Sequence, residues 1–225
     1  MAAPTSAVAI CNLALDYLKA DNVTSIESPS TTTESICARW YDASRLEAIR
    51  KYPWNFARKR GSISRDSSTT VPFGYADAYN LPNDFVRLLF IGNDAISLYR
   101  DSYQIEGSQI LVNNDGGASL NIGYIFDQTD VTKFDYLFVN VLALTLAKNI
   151  AYKFTEKNTV YSRIVDLLTE AQLAAAAIDG QERPPKRIQT SKFVRARHTA
   201  RGTSQITTHT DSQLLLEEGG ALLLE

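Results

Sequence analysis

The chain has 225 residues, 44% of them hydrophobic and 21% charged, with 11 Gly, 7 Pro, 2 Cys and a net charge of −2. That apolar share excludes a wholly disordered chain, and the Gly and Pro content excludes collagen and long linkers. Two cysteines exclude a disulfide-stapled scaffold, and no apolar run reaches the roughly 20 residues of a bilayer span, so no membrane partner is expected. Met1 to Ile10 has neither the basic start nor the apolar stretch of a signal peptide. The expected setting is a reducing cytoplasm, with one core-forming domain or at most two.

The first helix is predicted over about Ser6 to Ala20, because Ile10, Leu13, Ala14, Tyr17 and Leu18 form one stripe at helical spacing. The second opens at Thr31 and Glu34, spaced as a capping box, and continues through Ile36, Trp40, Ala43 and Ile49. Pro53 should end it at Tyr52. Residues 56–127 have another texture, with Gly, Pro, Asn, Asp and Ser between short β-branched and aromatic runs. Phe85 to Ile91, Leu98 to Ile105, Gln109 to Val112 and Ser119 to Phe126 read as strands. Asn113 to Gly117 reads as a turn, and nothing helical separates the strands, so they are not a βαβ unit.

A third helix, about Lys133 to Phe154, carries Phe134, Leu137, Phe138, Val141, Leu142, Thr145 and Leu146 in one stripe. Val139, Leu144, Ile150 and Tyr152 add apolar groups on other sides, so this helix is buried on several faces, or on one face plus a subunit interface. A cap at Asp130 or Thr132 is expected to open it. The fourth helix, about Thr159 to Ile178, has Val160, Ile164, Leu167, Leu168, Ala171, Ala174, Ala175 and Ile178 in register, with Gly180 placed as its C-terminal cap. The expected fold is α+β: a four-helix bundle with a small antiparallel β domain inserted between helices two and three, plus an extended C-terminal arm. Its parts are 1–55 (helices one and two), 56–130 (the β insertion), 131–180 (helices three and four) and 181–225 (the arm).

The near-neutral charge conceals an asymmetry. Residues 181–225 hold seven basic groups against five acidic ones, or +2; the chain totals −2, so residues 1–180 carry −4. The arm opens with Pro184 and Pro185, which favour extended geometry, and closes with two Leu triplets around Gly219 and Gly220. Its candidate docking residues are Lys186, Arg187, Phe193, Arg195, Arg197 and Arg201, then Leu214, Leu215, Leu216, Leu222, Leu223 and Leu224. Basic and apolar anchors on a polar extension suit coupled folding on a partner.

No catalytic constellation emerges. His198 and His209 both lie in the arm, away from any Cys or His at ligand spacing, so no metal site is expected. Cys11 and Cys37 read as two small buried hydrophobes on helices one and two. Nucleotide-binding and nucleophile-elbow motifs are missing. Asp127 and Asp130 read as turn residues, and Asn113, Asn114 and Asp115 resemble half a calcium loop without its closing Glu. No cofactor, metal or catalytic residue is expected. Arg45, Arg50, Lys51, Arg58, Lys59, Arg60 and Arg65 cluster around the end of helix two, either as phosphate contacts or as a solvated face. A body at −4 is not built as a general duplex binder.

One ordered set of motifs points further. It comprises Ile10-Cys11-Asn12-Leu13-Ala14-Leu15, Tyr41-Asp42-x-x-Arg45, Tyr52-Pro53-Trp54-Asn55-Phe56-Ala57 and Tyr79-Asn80-Leu81-Pro82-Asn83-Asp84-Phe85-Val86-Arg87. Ile105-Glu106-Gly107-x-x-Ile110, Tyr124-Ile125-x-Asp127 and Phe138-x-x-x-Leu142-Ala143-x-x-Leu146-Ala147 follow. In that order, over about residues 6–182, they resemble the tail tubular protein A family of short-tailed phages, the head–tail adaptor below the portal. The resemblance implies a homo-oligomeric ring of twelve subunits between the portal protein and the tail nozzle protein, with genomic DNA passing through the lumen without sequence recognition. Tail fibres are a further candidate partner. It implies C-terminal segments that reach the portal, a place in the virion neck after assembly in the host cytoplasm, and neither cofactor nor catalysis. The alternatives are a nucleic-acid-binding accessory virion protein using the basic arm and, third, a cell-wall hydrolase. Trp54 and Phe56 at the bend, with Leu81 and Pro82 at the turn before Phe85, are expected to pack the corner between bundle and sheet rather than to contact a partner.

Overall fold

The computed structural model describes residues 6–92, 94–95, 103–114, 116–155 and 158–182. The proposed docking residues from Lys186 to Leu224 therefore lie outside the described residues.

Ser6 caps α1 (Ala7–Leu18) by accepting from the Ala9 amide at 3.2 Å. The helix stops at Lys19, which takes a left-handed φ of 57°. The loop to the next helix is held from both sides. Asn12 exchanges two hydrogen bonds with the backbone of Val23 (2.8 and 3.0 Å). Glu34 closes the capping box of α2 (Thr32–Lys51) and also accepts from Thr24, Ser25 and Ser30. Tyr52, ahead of Pro53, is extended and ends the helix.

The buried face of α2 is not the one that hydrophobicity marks. Cys37, Tyr41, Ser44, Arg45, Ala48 and Ile49 face inward, while Trp40 is exposed. The reason is an ion pair. Arg45, 4% exposed, pairs with Asp127 and Asp42 and donates to the Gln128 carbonyl at 3.0 Å, so its charge is compensated where it is buried.

Among the described residues seven strands follow: β1 (Arg58–Ser64), β2 (Asp77–Asn80), β3 (Phe85–Ile91), β4 (Asp94–Ala95), β5 (Tyr103–Glu106), β6 (Gln109–Val112) and β7 (Ser119–Phe126). They form two antiparallel sheets, ordered β1-β7-β3-β4 and β2-β6-β5. The strand expected from Leu98 starts at Tyr103 among the described residues. Gly123, central in β7, is opposite both Arg60 and Phe90. The Phe90 ring lies across it, where a Cβ would collide, and Arg60 stacks on that ring at 5.7 Å.

Asp130 caps a 3₁₀ turn at Val131–Lys133, and Asp135 caps α3 (Tyr136–Phe154), so the helix begins later than expected. α4 (Asn158–Gln181) runs straight through Gly180, which is not its cap.

The four-helix bundle with an inserted β domain is not the arrangement found. α3 carries the principal packing against α1, α2 and α4, while α1 and α2 touch each other sparingly. Nor is the sheet region a separate insert. Val86 of β3 and Ile125 of β7 are buried in the same cluster as Leu142, Leu146 and Ile150 of α3. The opposite face of the four-stranded sheet carries Ile63, Leu88, Leu120, Ile122 and Tyr124 against Tyr79, Ile110 and Val112 of the three-stranded sheet. The chain is thus a mixed α/β assembly of helices on sheet on sheet. Periodicity shows which faces are apolar, but it does not say whether one helix serves as the common partner of the rest.

Candidate functional site

The corner after α2 joins three elements. Trp54 is 2% exposed; its Nε1 donates to the Ala48 carbonyl at 2.9 Å, and its ring meets Tyr52 and Phe138 edge-on, each at 5.1 Å. Phe56 packs on Phe138 at 4.7 Å and on Phe134 at 5.6 Å. Aromatic pairs at such spacings favour these tilted and edge-on arrangements. The same corner grips the end of α4. The Asn55 amide donates to Asp179 Oδ1 and Asn55 Nδ2 to the Asp179 carbonyl, both at 2.9 Å, while the Tyr52 hydroxyl donates to the Ala176 carbonyl at 3.0 Å. Leu81 and Pro82 belong elsewhere. Leu81 packs against the sheet–sheet cluster, and Pro82 lines a cleft of about 430 Å³ at the end of α2.

The basic cluster is largely engaged within the molecule. Arg45 is buried in its ion pair, and Lys59 donates to Asp84 at 2.7 Å while lying over the Phe126 ring. Burial alone would raise the Asp84 pKa, but Lys59 and the Tyr124 hydroxyl hold it below the usual carboxylate range. Arg60 stacks on Phe90, and Arg65 pairs with the buried Asp77 at 2.8 Å. Asp77, which the sequence did not mark, also accepts from the Asn114 and Gly116 amides, and Asn114 donates to the Tyr79 hydroxyl. Asn114 of the half calcium loop is therefore stitched to β2, while Asp115 lies outside the described residues. The signal of Asp77 was hidden because an Asp in a polar stretch looks like any other.

The all-round apolar character of α3 is used inside the chain. Val139, Leu144 and Ile150 are buried together with the main stripe. By length and composition this 19-residue helix could cross a membrane, but 61% of its apolar 18-residue stretch is buried inside the structure. Exposed apolar groups lie instead at its ends and on α4. Tyr152 is 83% exposed and stands 6.2 Å from Tyr161, and Leu173 is 69% exposed beside an apolar cleft of about 220 Å³ between α2, α3 and α4.

Cys11 and Cys37 are buried free thiols. The hydrogen bond to Cys37, together with burial, holds the Cys11 thiol far above its ordinary range, the reverse of a reactive thiolate. Among the described residues no three His, Cys, Asp or Glu side chains converge as metal ligands. Asp127 and Asp130 are taken up by Arg45 and by the Thr132 amide. Compared with protein-family models and with curated proteins, the chain matches none.

Proposed function

We propose that this chain is a structural head–tail adaptor of a short-tailed phage virion, forming a ring between portal and tail nozzle through which the genome passes. The supporting observation is that motif pieces far apart in sequence are one another's packing partners. Tyr41-Asp42-x-x-Arg45 meets Tyr124-Ile125-x-Asp127 through the buried Arg45–Asp127 pair. Tyr52-Pro53-Trp54-Asn55-Phe56 meets the helix motif through Trp54 and Phe56 on Phe138. The segment from Tyr79 to Arg87 meets the β7 motif through Asp84 and the Tyr124 hydroxyl at 3.0 Å. Residues related in this way form a scaffold signature, and a scaffold is what a ring component requires. A closed ring needs two different faces per subunit. The exposed side chains on α4 offer one, and the basic, leucine-rich residues 183–225 would serve the portal.

The test is sedimentation of the purified protein with the portal protein, using the full chain and a chain ending at Glu182. The full chain is expected to co-sediment and the shortened one to lose association. No complex at any salt concentration overturns the reading. Tight, salt-sensitive duplex binding that disappears with the same truncation would favour a nucleic-acid-binding accessory protein instead.

A further inference from the structure

The cleft of about 430 Å³ at the end of α2 brings together two arginines that no carboxylate neutralises among the described residues. At the β-bulge between Phe85 and Arg87, the Val86 carbonyl accepts from Arg50 Nη1 at 2.9 Å. In return Arg87 Nη1 donates to the Arg50 carbonyl at 3.0 Å, in the last turn of α2 where helix carbonyls lack intrahelical partners. This reciprocal latch explains one N–H of each side chain. A guanidinium has five, and a carbonyl satisfies a donor without cancelling a charge. The carboxylate nearest in sequence, Asp84, is already held by Lys59 and Tyr124.

The rest of the wall is mixed, with Asn83 and Ser108 beside an apolar part. Leu81, Pro82 and Ile105 line the cleft, with Ile105 well exposed. Ile105 belongs to β5, which pairs with β6 along one edge; among the described residues no strand pairs with the other. Paired guanidiniums suit carboxylates, an apolar wall suits alternate side chains of an extended strand, and an open edge offers main-chain hydrogen bonds. Duplex nucleic acid fits less well, because its convex phosphate backbone would leave Pro82 and the exposed Ile105 uncovered.

We propose that this cleft docks an extended acidic segment of a partner protein, with carboxylates on Arg50 and Arg87 and apolar side chains against Leu81, Pro82 and Ile105. The proposal stands apart from the adaptor reading and survives its failure. It is tested on the full chain by fluorescence anisotropy, with a labelled octapeptide alternating glutamate and valine as the probe. Arg50→Gln and Arg87→Gln keep an N–H for the carbonyl latch but lose the charge; each is expected to weaken binding about tenfold. Ile105→Asp, at an exposed position, should weaken it as well, and Arg39→Gln on the exposed side of α2 should not. No binding at millimolar peptide overturns the proposal. So does equal weakening by Arg39→Gln, or competition by a 20-base-pair duplex at lower concentration than unlabelled peptide.

Discussion

Glu34 shows how much one side chain can organise. Its two oxygens accept from the backbone amides of Thr24, Ser25, Ser30 and Thr31 and from two hydroxyls, so it fixes both the start of α2 and the loop before it. Hydrogen bonds from Ser30 and then from Thr24 outweigh desolvation and hold its carboxyl far below the ordinary range. A depressed folded pKa contributes stability that is full above the unfolded value, about 4.3, and is lost as pH falls below it. Glu34→Gln should therefore lower the urea midpoint at neutral pH, and its deficit against the parent chain should shrink as pH falls below that value. A deficit independent of pH would refute the assignment. Gly123 is constrained differently, by space. Gly123→Ala should displace the Phe90 ring and the Arg60 stacked on it, at about 1–2 kcal/mol. Phe90→Ala in the same chain should remove most of that added cost, because the two sites share one contact.

At the scale of elements, α4 is held at its end by the corner rather than by a cap of its own. The Asn55 side chain donates from Nδ2 to the Asp179 carbonyl while its backbone amide, which alanine keeps, holds Asp179 Oδ1, so Asn55→Ala should speed amide exchange over residues 172–181 roughly fivefold, leaving α1 unchanged. The same element shows what the sequence could and could not disclose. The apolar register of α4 is plain, and Ile164, Leu168 and Ala175 are buried, yet Gly180 was an unreliable stop because the residues that hold that turn lie more than a hundred positions away. The capping box at Thr31 and Glu34 is local chemistry and could be read directly. The inward face of α2 could not be, since burying Arg45 rather than Trp40 depends on Asp127, 82 positions on. The basic cluster around Lys51 misleads for the same reason. Charges adjacent in sequence point to different partners in space, and the Arg50–Arg87 cleft becomes visible only once β3 is placed against α2.

For the whole molecule, the Arg45–Asp127 pair ties α2 to the segment leaving β7, and so joins helices to sheet. Arg45→Met removes the buried cation and leaves Asp127, 30% exposed, where water can replace part of what is lost, so it should cost about 1 kcal/mol in equilibrium unfolding. Asp127→Asn should cost more, about 3 kcal/mol, because it leaves the Arg45 cation, 4% exposed, with Asp42 as its remaining carboxylate. A single cooperative transition in both variants would show that helices and sheets unfold together, as their shared cluster through Val86 and Ile125 requires.

The central place of α3 has a consequence for how the chain is made. The two earlier helices meet chiefly through it, and it lies beyond every described strand in chain order. On a ribosome, α1 and α2 therefore emerge with Ile10, Leu15, Cys37 and Ile49 uncovered, and stay so while the whole sheet region is synthesised. Docking of the helical core waits for residue 154 to clear the exit tunnel. Arrest of synthesis just before α3 should leave a nascent chain that is open to protease and bound by chaperones, and release of α3 should close it in one step.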